Sequence, residues 1–466
     1  MIGTSAPLFW SFPWNFVLFF AWGFYLIFLR KWIVILSLFA ACIYGFYTKT
    51  EVSDANLVYF SPSSVKPHQS PFMKGLIYEG TLIANGQSVP ASVYHPRSAS
   101  RPSASADYIL KGQLKKRGNT GIAFKAKEWI FVKKRMSFVE MRFQMKEKMR
   151  KVLEEKLKKP RVAPLLSSLI TGDVEERSLV FEFSRLGLQH LLAISGFHFG
   201  VLIAFCSYFL SLFLDYKPKI FSLILLINLY FLFVGPLPAV QRSYMTALFF
   251  LLGKWMGKRA TPLNLLGTSL LVEVTLNPLI PSNLGFQLSF LSCAGIFIGR
   301  PLFMPLCLKL FPKRATLIEL TIPAKHGYLL TSFLREALNV TLSVNAAILP
   351  LLLFHFHTFP LLSFLYNLFF PFLLGASLFL LLLSLALYLL FPPLASPFFF
   401  LTDFLTGELL DLTSYPPLFL DYSIRCTWIP SWSIPFYLFA LFWLSIRVKL
   451  GRIPTAYLYG DRSSAG

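Results

Sequence analysis

Residues 187–200, GLQHLLAISGFHFG, place Gln189, His190, Ser195 and His198 among glycines inside a long apolar run. Such side chains can hold a metal, attack a carbonyl or bond a polar cargo. Polar groups at bilayer depth are costly enough to mark functional sites. A two-histidine metal centre fails on reach: along an uninterrupted helix His190 and His198 stand about 12 Å apart, with no nearby carboxylate to complete a ligand set. A serine hydrolase is closer to feasible, because Ser195 and His198 at i, i+3 can hydrogen-bond. No acid orients the imidazole, however, and no oxyanion hole is implied. The residues therefore predict no catalytic group, no metal and no cofactor. They leave a polar cavity wall or a hydrogen bond to a neighbouring helix. On the same helix Gly196, Gly200 and Ala204 fall on one face, a small-residue row suited to close packing. His190 and His198 turn to another face.

Three further insertions share this character. PLPAVQRSYMTA (236–247) carries Gln241 and Arg242 near the start of a span. An arginine at the centre of a span costs about 2.5–3.5 kcal/mol on insertion scales, so Arg242 must pair, snorkel or face water. NLGFQLSF (283–290) brings in Gln287 and Ser289, and NAAILP (345–350) sets Asn345 and Pro350 as an interruption of the next span. Irregular backbone at membrane depth is tolerated mainly beside cavities. The four clusters together read as the lining of a shared path.

The elements that position them follow from composition. Hydrophobic residues make up 55% and aromatic residues 17% of the 466, and several runs reach spanning length, which makes this a polytopic α-helical membrane protein. The net charge of +22 exceeds what cytoplasmic loops require and suits a polyanion, either nucleic acid or the lipid surface. Five cysteines show no paired spacing for a metal or redox centre. Apolar runs 7–29 and 32–47 form a hairpin about Arg30-Lys31, so residues 1–50 are a transmembrane pair with the N-terminus outside.

Residues 51–134 change character, with short alternating runs at 72–84, 87–94, 107–116 and 121–132 and an Asn85-Gly86 hairpin signal. They predict a small extracytoplasmic β-barrel of OB-like type. Such a barrel binds single strands where exposed aromatic rings line a basic groove. Tyr108, Phe124 and Trp129, among Lys111, Lys115, Lys116, Arg117, Lys125 and Lys127, are the candidates for that groove. A passive basic cap is the other reading. Residues 135–161 read as a basic amphipathic helix, with Phe138, Met141, Met145, Met149 and Val152 on one side, suited to a membrane surface or a nucleic acid. Residues 162–455 hold nine further spans: 188–214, 219–235, 239–255, 262–279, 284–300, 337–355, 361–391 (broken by Pro371), 396–412 and 433–446. That makes about eleven in all, with residues 456–466 as a cytoplasmic tail.

TGD (171–173), GLQHLLAISGFHFG (187–200), PAVQRSYM (238–245), NP (277–278) and GFQLSF (285–290) together resemble the ComEC family, the inner-membrane DNA channel of bacterial natural transformation. The family phrase is close to HLLAISGLHVG, so Phe197 and Phe199 are bulkier here. The resemblance runs from about residue 7 to 371. It implies a multi-pass protein of the bacterial inner membrane that carries single-stranded DNA inward. Expected partners are membrane lipid, an extracytoplasmic DNA receptor, a cytoplasmic motor and single-strand-handling proteins. Arg242, His190 and His198 would meet the phosphodiester or orient helices around it. Gln287, Ser289 and Asn345 would let a hydrated strand pass without trapping it. Many relatives end in a metallo-β-lactamase-like domain. No HxHxDH run occurs before Gly466, which implies a form without that domain and a channel without catalysis. Two other readings stay open: a membrane-embedded hydrolase or transferase using Ser195 and His198, and a fold relative that exports another substrate.

Overall fold

A computed structural model describes residues 57–450, except 70–73, 85–86, 97–99, 118–120, 175, 278–279, 314–321, 415, 417–420 and 427. The expected N-terminal hairpin and C-terminal tail lie outside the described residues. The chain divides into two units, the first taking residues up to 260, 268–286 and 372–416, the second 261–267, 287–371 and 417 onward.

Five strands open the first unit: β1 (Leu57–Gln69), β2 (Lys74–Ala84), β3 (Gln87–Pro96), β4 (Ala106–Arg117) and β5 (Gly121–Lys134). They close into a barrel of order β1-β2-β3-β5-β4, with β3 and β5 parallel and β4 returning to β1 through Phe60 opposite Tyr108. Closure leaves no edge strand to pair with another chain. The pairing of Ala84 with Gln87 leaves two residues for the predicted hairpin turn. Alternation sends Val58, Phe60, Tyr78, Leu82, Val93, Tyr108, Leu110 and Phe124 into one core.

That same alternation corrects the expected base-stacking platform. Tyr108 is 5% exposed and Phe124 1%, so neither ring has a face to offer. Trp129 packs against the core, edge-on to Phe60, Tyr78, His95 and Tyr108 at centroid distances of 5.1–6.1 Å. The aromatics here hold the barrel together. Lys125 and Lys127 are exposed, Lys111 pairs with Glu128 at 2.9 Å, and Lys115, Lys116 and Arg117 lie in β4.

Helix α1 (Val139–Lys156) buries Val139, Phe143, Lys146, Arg150 and Leu153, while Phe138, Met141 and Met145 are exposed. The apolar stripe read from sequence thus faces outward, and two cations expected in solvent turn inward. Lys146 Nζ and Arg150 Nη2 donate to the same oxygen, Asp173 Oδ2, at 3.1 and 3.0 Å. Burial lowers the Lys146 pKa, and the Asp173 charge opposes that shift. Val139 and Phe143 belong to the barrel core. Arg142 Nε donates to Leu232 O at 2.8 Å, at the C-terminal, electronegative end of the helix ending at Val234. The α1 helix therefore bolts the barrel to the helical part.

Next come α2 (Val162–Thr171), α3 (Arg177–Arg185), α4 (Gln189–Leu192), α5 (Gly196–Leu210), α6 (Tyr216–Val234), α7 (Pro238–Trp255) and α8 (Pro262–Leu276). They are followed by α9 (Leu284–Ala294), a π-helical turn (Gly295–Gly299), α10 (Arg300–Leu310), α11 (Ile322–Phe356), α12 (Leu362–Leu390), α13 (Pro392–Ser414) and α14 (Ser433–Leu450). Among the described residues, four stretches are long and apolar enough to cross a membrane: Tyr216–Val234, Leu284–Leu310, His326–Phe356 and Leu362–Leu390. Pro350 and Pro371 lie inside α11 and α12, so neither breaks its helix as expected. Burial within a helical bundle tolerates the missing backbone bond.

In the second unit two glycines lie close against a neighbouring helix, whereas Gly200 and Ala204 do not. A Cβ built on Gly295 would stand 2.7 Å from Ala347 Cβ and 2.9 Å from Ser343 O, and one on Gly299 3.2 Å from Ser343 Cβ. The GIFIG turn is thus the small-residue seam against α11. At Gly200 a Cβ would meet nothing within 4 Å among the described residues, and Ala204 is exposed.

Gly295→Leu should lower the thermal stability of the detergent-purified protein by about 1–3 kcal/mol, whereas Gly200→Ala should leave it equal or slightly higher. Asp173→Asn strands the buried Lys146 and takes from Arg150 one of its two carboxylates, and should cost about 3–5 kcal/mol, read as faster limited proteolysis between the barrel and the helical part.

Candidate functional site

The predicted continuous span over 188–214 is two pieces. The four-residue α4 ends at Leu192, Ala193 is extended (ψ 135°), and Ser195 (φ −128°, ψ 179°) is the N-cap of α5. Serine at an N-cap with a polar residue three positions on is a local signal to start a helix afresh. The Ser195 backbone N–H donates to His198 Nδ1 at 3.2 Å, and Ser195 Oγ lies 3.2 Å from the same nitrogen. The pair that could have been nucleophile and base is therefore a helix cap. Nδ1 accepts a main-chain bond, which places the ring proton on Nε2. That nitrogen is buried without a hydrogen-bond partner among the described residues, in a residue only 3% exposed. His190 lies across the break on α4 and is exposed, so the two imidazoles do not share a helix face.

Three irregular junctions converge here. Gly172, in the TGD turn, has φ 77°, and a Cβ on it would lie 3.1 Å from Ile194 Cδ1, 3.2 Å from Val234 Cγ1 and 3.4 Å from Leu237 Cδ1. The TGD turn, the helix break and the loop before α7 thus form one packed knot, the turn itself held by Asp173. The α7 helix starts from Pro238, a residue pre-set for the first helical turn. One turn on, Arg242 is only 6% exposed, and its Nη2 donates to Ser243 Oγ at 3.3 Å. A Cβ on Gly196 would lie 3.6 Å from Arg242 Nη2 and 3.9 Å from Ser243 Oγ. The guanidinium therefore rests against the first residue of α5, beside the positive end of that helix. Two positive ends at one exposed glycine suit an anionic group.

Phe197, bulkier than the family phrase, is accommodated by a glycine: a Cβ on Gly375 of α12 would approach its ring to 2.6 Å. Gln241 is part-exposed on α7, while Gln287 and Ser289, part-buried on α9, and Asn345, buried on α11, belong to the second unit. Two residues escaped the sequence reading. Asp173 was seen only as part of a motif, since its cations come from a helix 23 and 27 residues earlier. Glu273 is the acidic residue of the otherwise apolar α8, PLNLLGTSLLVEVTL. It is 3% exposed, and neither carboxylate oxygen has a hydrogen-bond partner among the described residues. A charge inside an apolar helix was signal enough to find it.

A family model described as Competence protein matches residues 169–450. ComE operon protein 3 of Bacillus subtilis (strain 168) is 30% identical over 206 residues, 43% of this chain and 23% of that protein. The chain thus covers about a quarter of that relative's length. No solved structure matches it. The matched stretch contains the TGD turn, the capped break and Arg242, and the chain belongs to the competence protein family, the ComEC family.

Proposed function

We propose that the protein carries single-stranded DNA across the bacterial inner membrane during natural transformation. The observation that carries this reading is the buried Arg242 guanidinium set against the capped start of α5, within the stretch that matches the competence family. A phosphodiester is an anion that a guanidinium contacts through two parallel donors. A channel for such a strand needs sites that attract without trapping. Sparse charge inside and polar Gln287, Ser289 and Asn345 meet that need.

The barrel, OB-like in strand order, serves on this reading as an electrostatic collector outside the membrane. With its aromatics in the core, attraction falls to exposed cations such as Lys125 and Lys127, so it is salt-sensitive and indifferent to sequence. About eleven spans with the N-terminus outside, an extracytoplasmic receptor, a cytoplasmic motor and single-strand-handling proteins complete the proposal. The protein acts as a conduit without chemistry of its own.

In a transformable strain lacking the gene, the wild-type chain should restore entry of labelled DNA into the cytoplasm, and Arg242→Gln should reduce it by about tenfold or more at similar protein level. Unchanged entry on deletion of the gene would end the DNA reading. Ser195→Ala removes part of a helix cap worth about 1 kcal/mol and should leave most of the uptake. Complete loss with normal folding would instead point to a nucleophile.

A further inference from the structure

At 3.6 residues per turn, α1 carries three faces. Val139, Phe143, Lys146, Arg150 and Leu153 make the buried one. About 120° round the helix from it, Phe138, Met141 and Met145 are exposed, and part-buried Met149 and Val152 prolong the row. The third face is polar, with Gln144, Glu147, Lys151 and Glu154 along it. A helix standing in water needs one apolar stripe, against its core. Arg142 lies on the border between the buried face and the second apolar row, and it fixes the level at which that row runs. Its Nε donates to Leu232 O at 2.8 Å, and a Cβ on Gly235 would stand 2.9 Å from its Nη1. These are the last turn and the C-cap of α6, a helix long and apolar enough to cross a membrane. Lys217 and Lys219 stand at the other end of α6, which holds that end in the cytoplasm. Leu232 therefore marks the opposite boundary between lipid and water.

We infer that α1 lies along the membrane surface with Phe138, Met141 and Met145 seated in the outer leaflet, so that this row is a phospholipid-binding face. A helix of this kind places its apolar side about 5–10 Å into the boundary between headgroups and acyl chains. Exposed Lys148 borders the row, within reach of headgroup phosphates. The row holds thioethers rather than stacking rings, and exposed Glu154 and Glu155 lie on the side away from it. It therefore fits acyl chains better than a nucleic acid. Val139 and Phe143 of the same helix belong to the barrel core, so the seat holds the barrel close against the bilayer. The inference does not depend on what the protein carries.

The test uses the full chain in nanodiscs of phosphatidylethanolamine and phosphatidylglycerol, with the photoreactive residue benzoylphenylalanine in place of Phe138, Met141, Met145 or Lys151. Irradiation should give phospholipid adducts at 138, 141 and 145 and few at 151, on the polar face. Adding Met141→Glu and Met145→Glu together should cut the adduct at 138 by about tenfold or more. Both methionines are exposed, so the paired change should leave thermal stability in detergent nearly as it was. If that variant folds poorly, the adducts at 141 and 145 in the otherwise unchanged chain decide the matter. Equal lipid adducts at 151, or none at 141 and 145, would overturn the inference. So would crosslinks from 141 and 145 to another part of the chain, to a second copy or to added oligothymidylate in place of lipid. None of these results would touch the DNA reading, which stands or falls on uptake.

Discussion

The Asp173 carboxylate takes two buried cations from α1 on a single oxygen, and much of the first unit hangs from that contact. Without it Lys146 would be a buried charge without its carboxylate and Arg150 would keep Glu147 but lose its buried partner. With it, one end of α1 is free to complete the barrel core through Val139 and Phe143, while Arg142 caps the end of α6. The TGD turn held in this way is also what Ile194, Val234 and Leu237 pack against. One ion cluster thus seats both the barrel and the helix break. Its strength comes from desolvation, which makes breaking a buried pair far more costly than forming it is favourable.

The break itself solves a backbone problem. A helix that stops at membrane depth leaves N–H and C=O groups unsatisfied, and a bilayer offers no water to bond them. Ser195 and His198 meet part of that need locally, which gives a serine and an imidazole three residues apart a structural role. A restarted helix also presents its positive end at Gly196, and Arg242 arrives at the same place from α7. Concentrating positive charge at one point is unfavourable on its own. An anionic group at that point would offset it.

Much of this was legible in the order of residues. Membrane class follows from the sheer area of apolar side chain, which no tertiary arrangement of a soluble chain could bury. The barrel strands follow from alternation and turn residues, since side-chain period is a local property. Ser195, His198 and Arg242 stood out because polar groups in apolar runs are costly wherever the helices go. The family motifs marked the same knot that the structure assembles.

What the chain order left undecided was every choice made by a distant partner. Tyr108 and Phe124 have the same pattern whether they face a core or a groove, and only closure of the barrel put them inside. The α1 helix has two apolar stripes, and Asp173 selected the one that also carries Lys146 and Arg150. Spacing alone allowed a seam at Gly196 and Gly200, but a seam needs a facing helix, and the tight approach occurs at Gly295 and Gly299 against Ser343 and Ala347. Helical spacing likewise set His190 and His198 on one face, until the capped break separated them. Local periodicity determines which side chains can be buried together. Only tertiary contact, through packing and the cost of stranding a charge, determines which of them are.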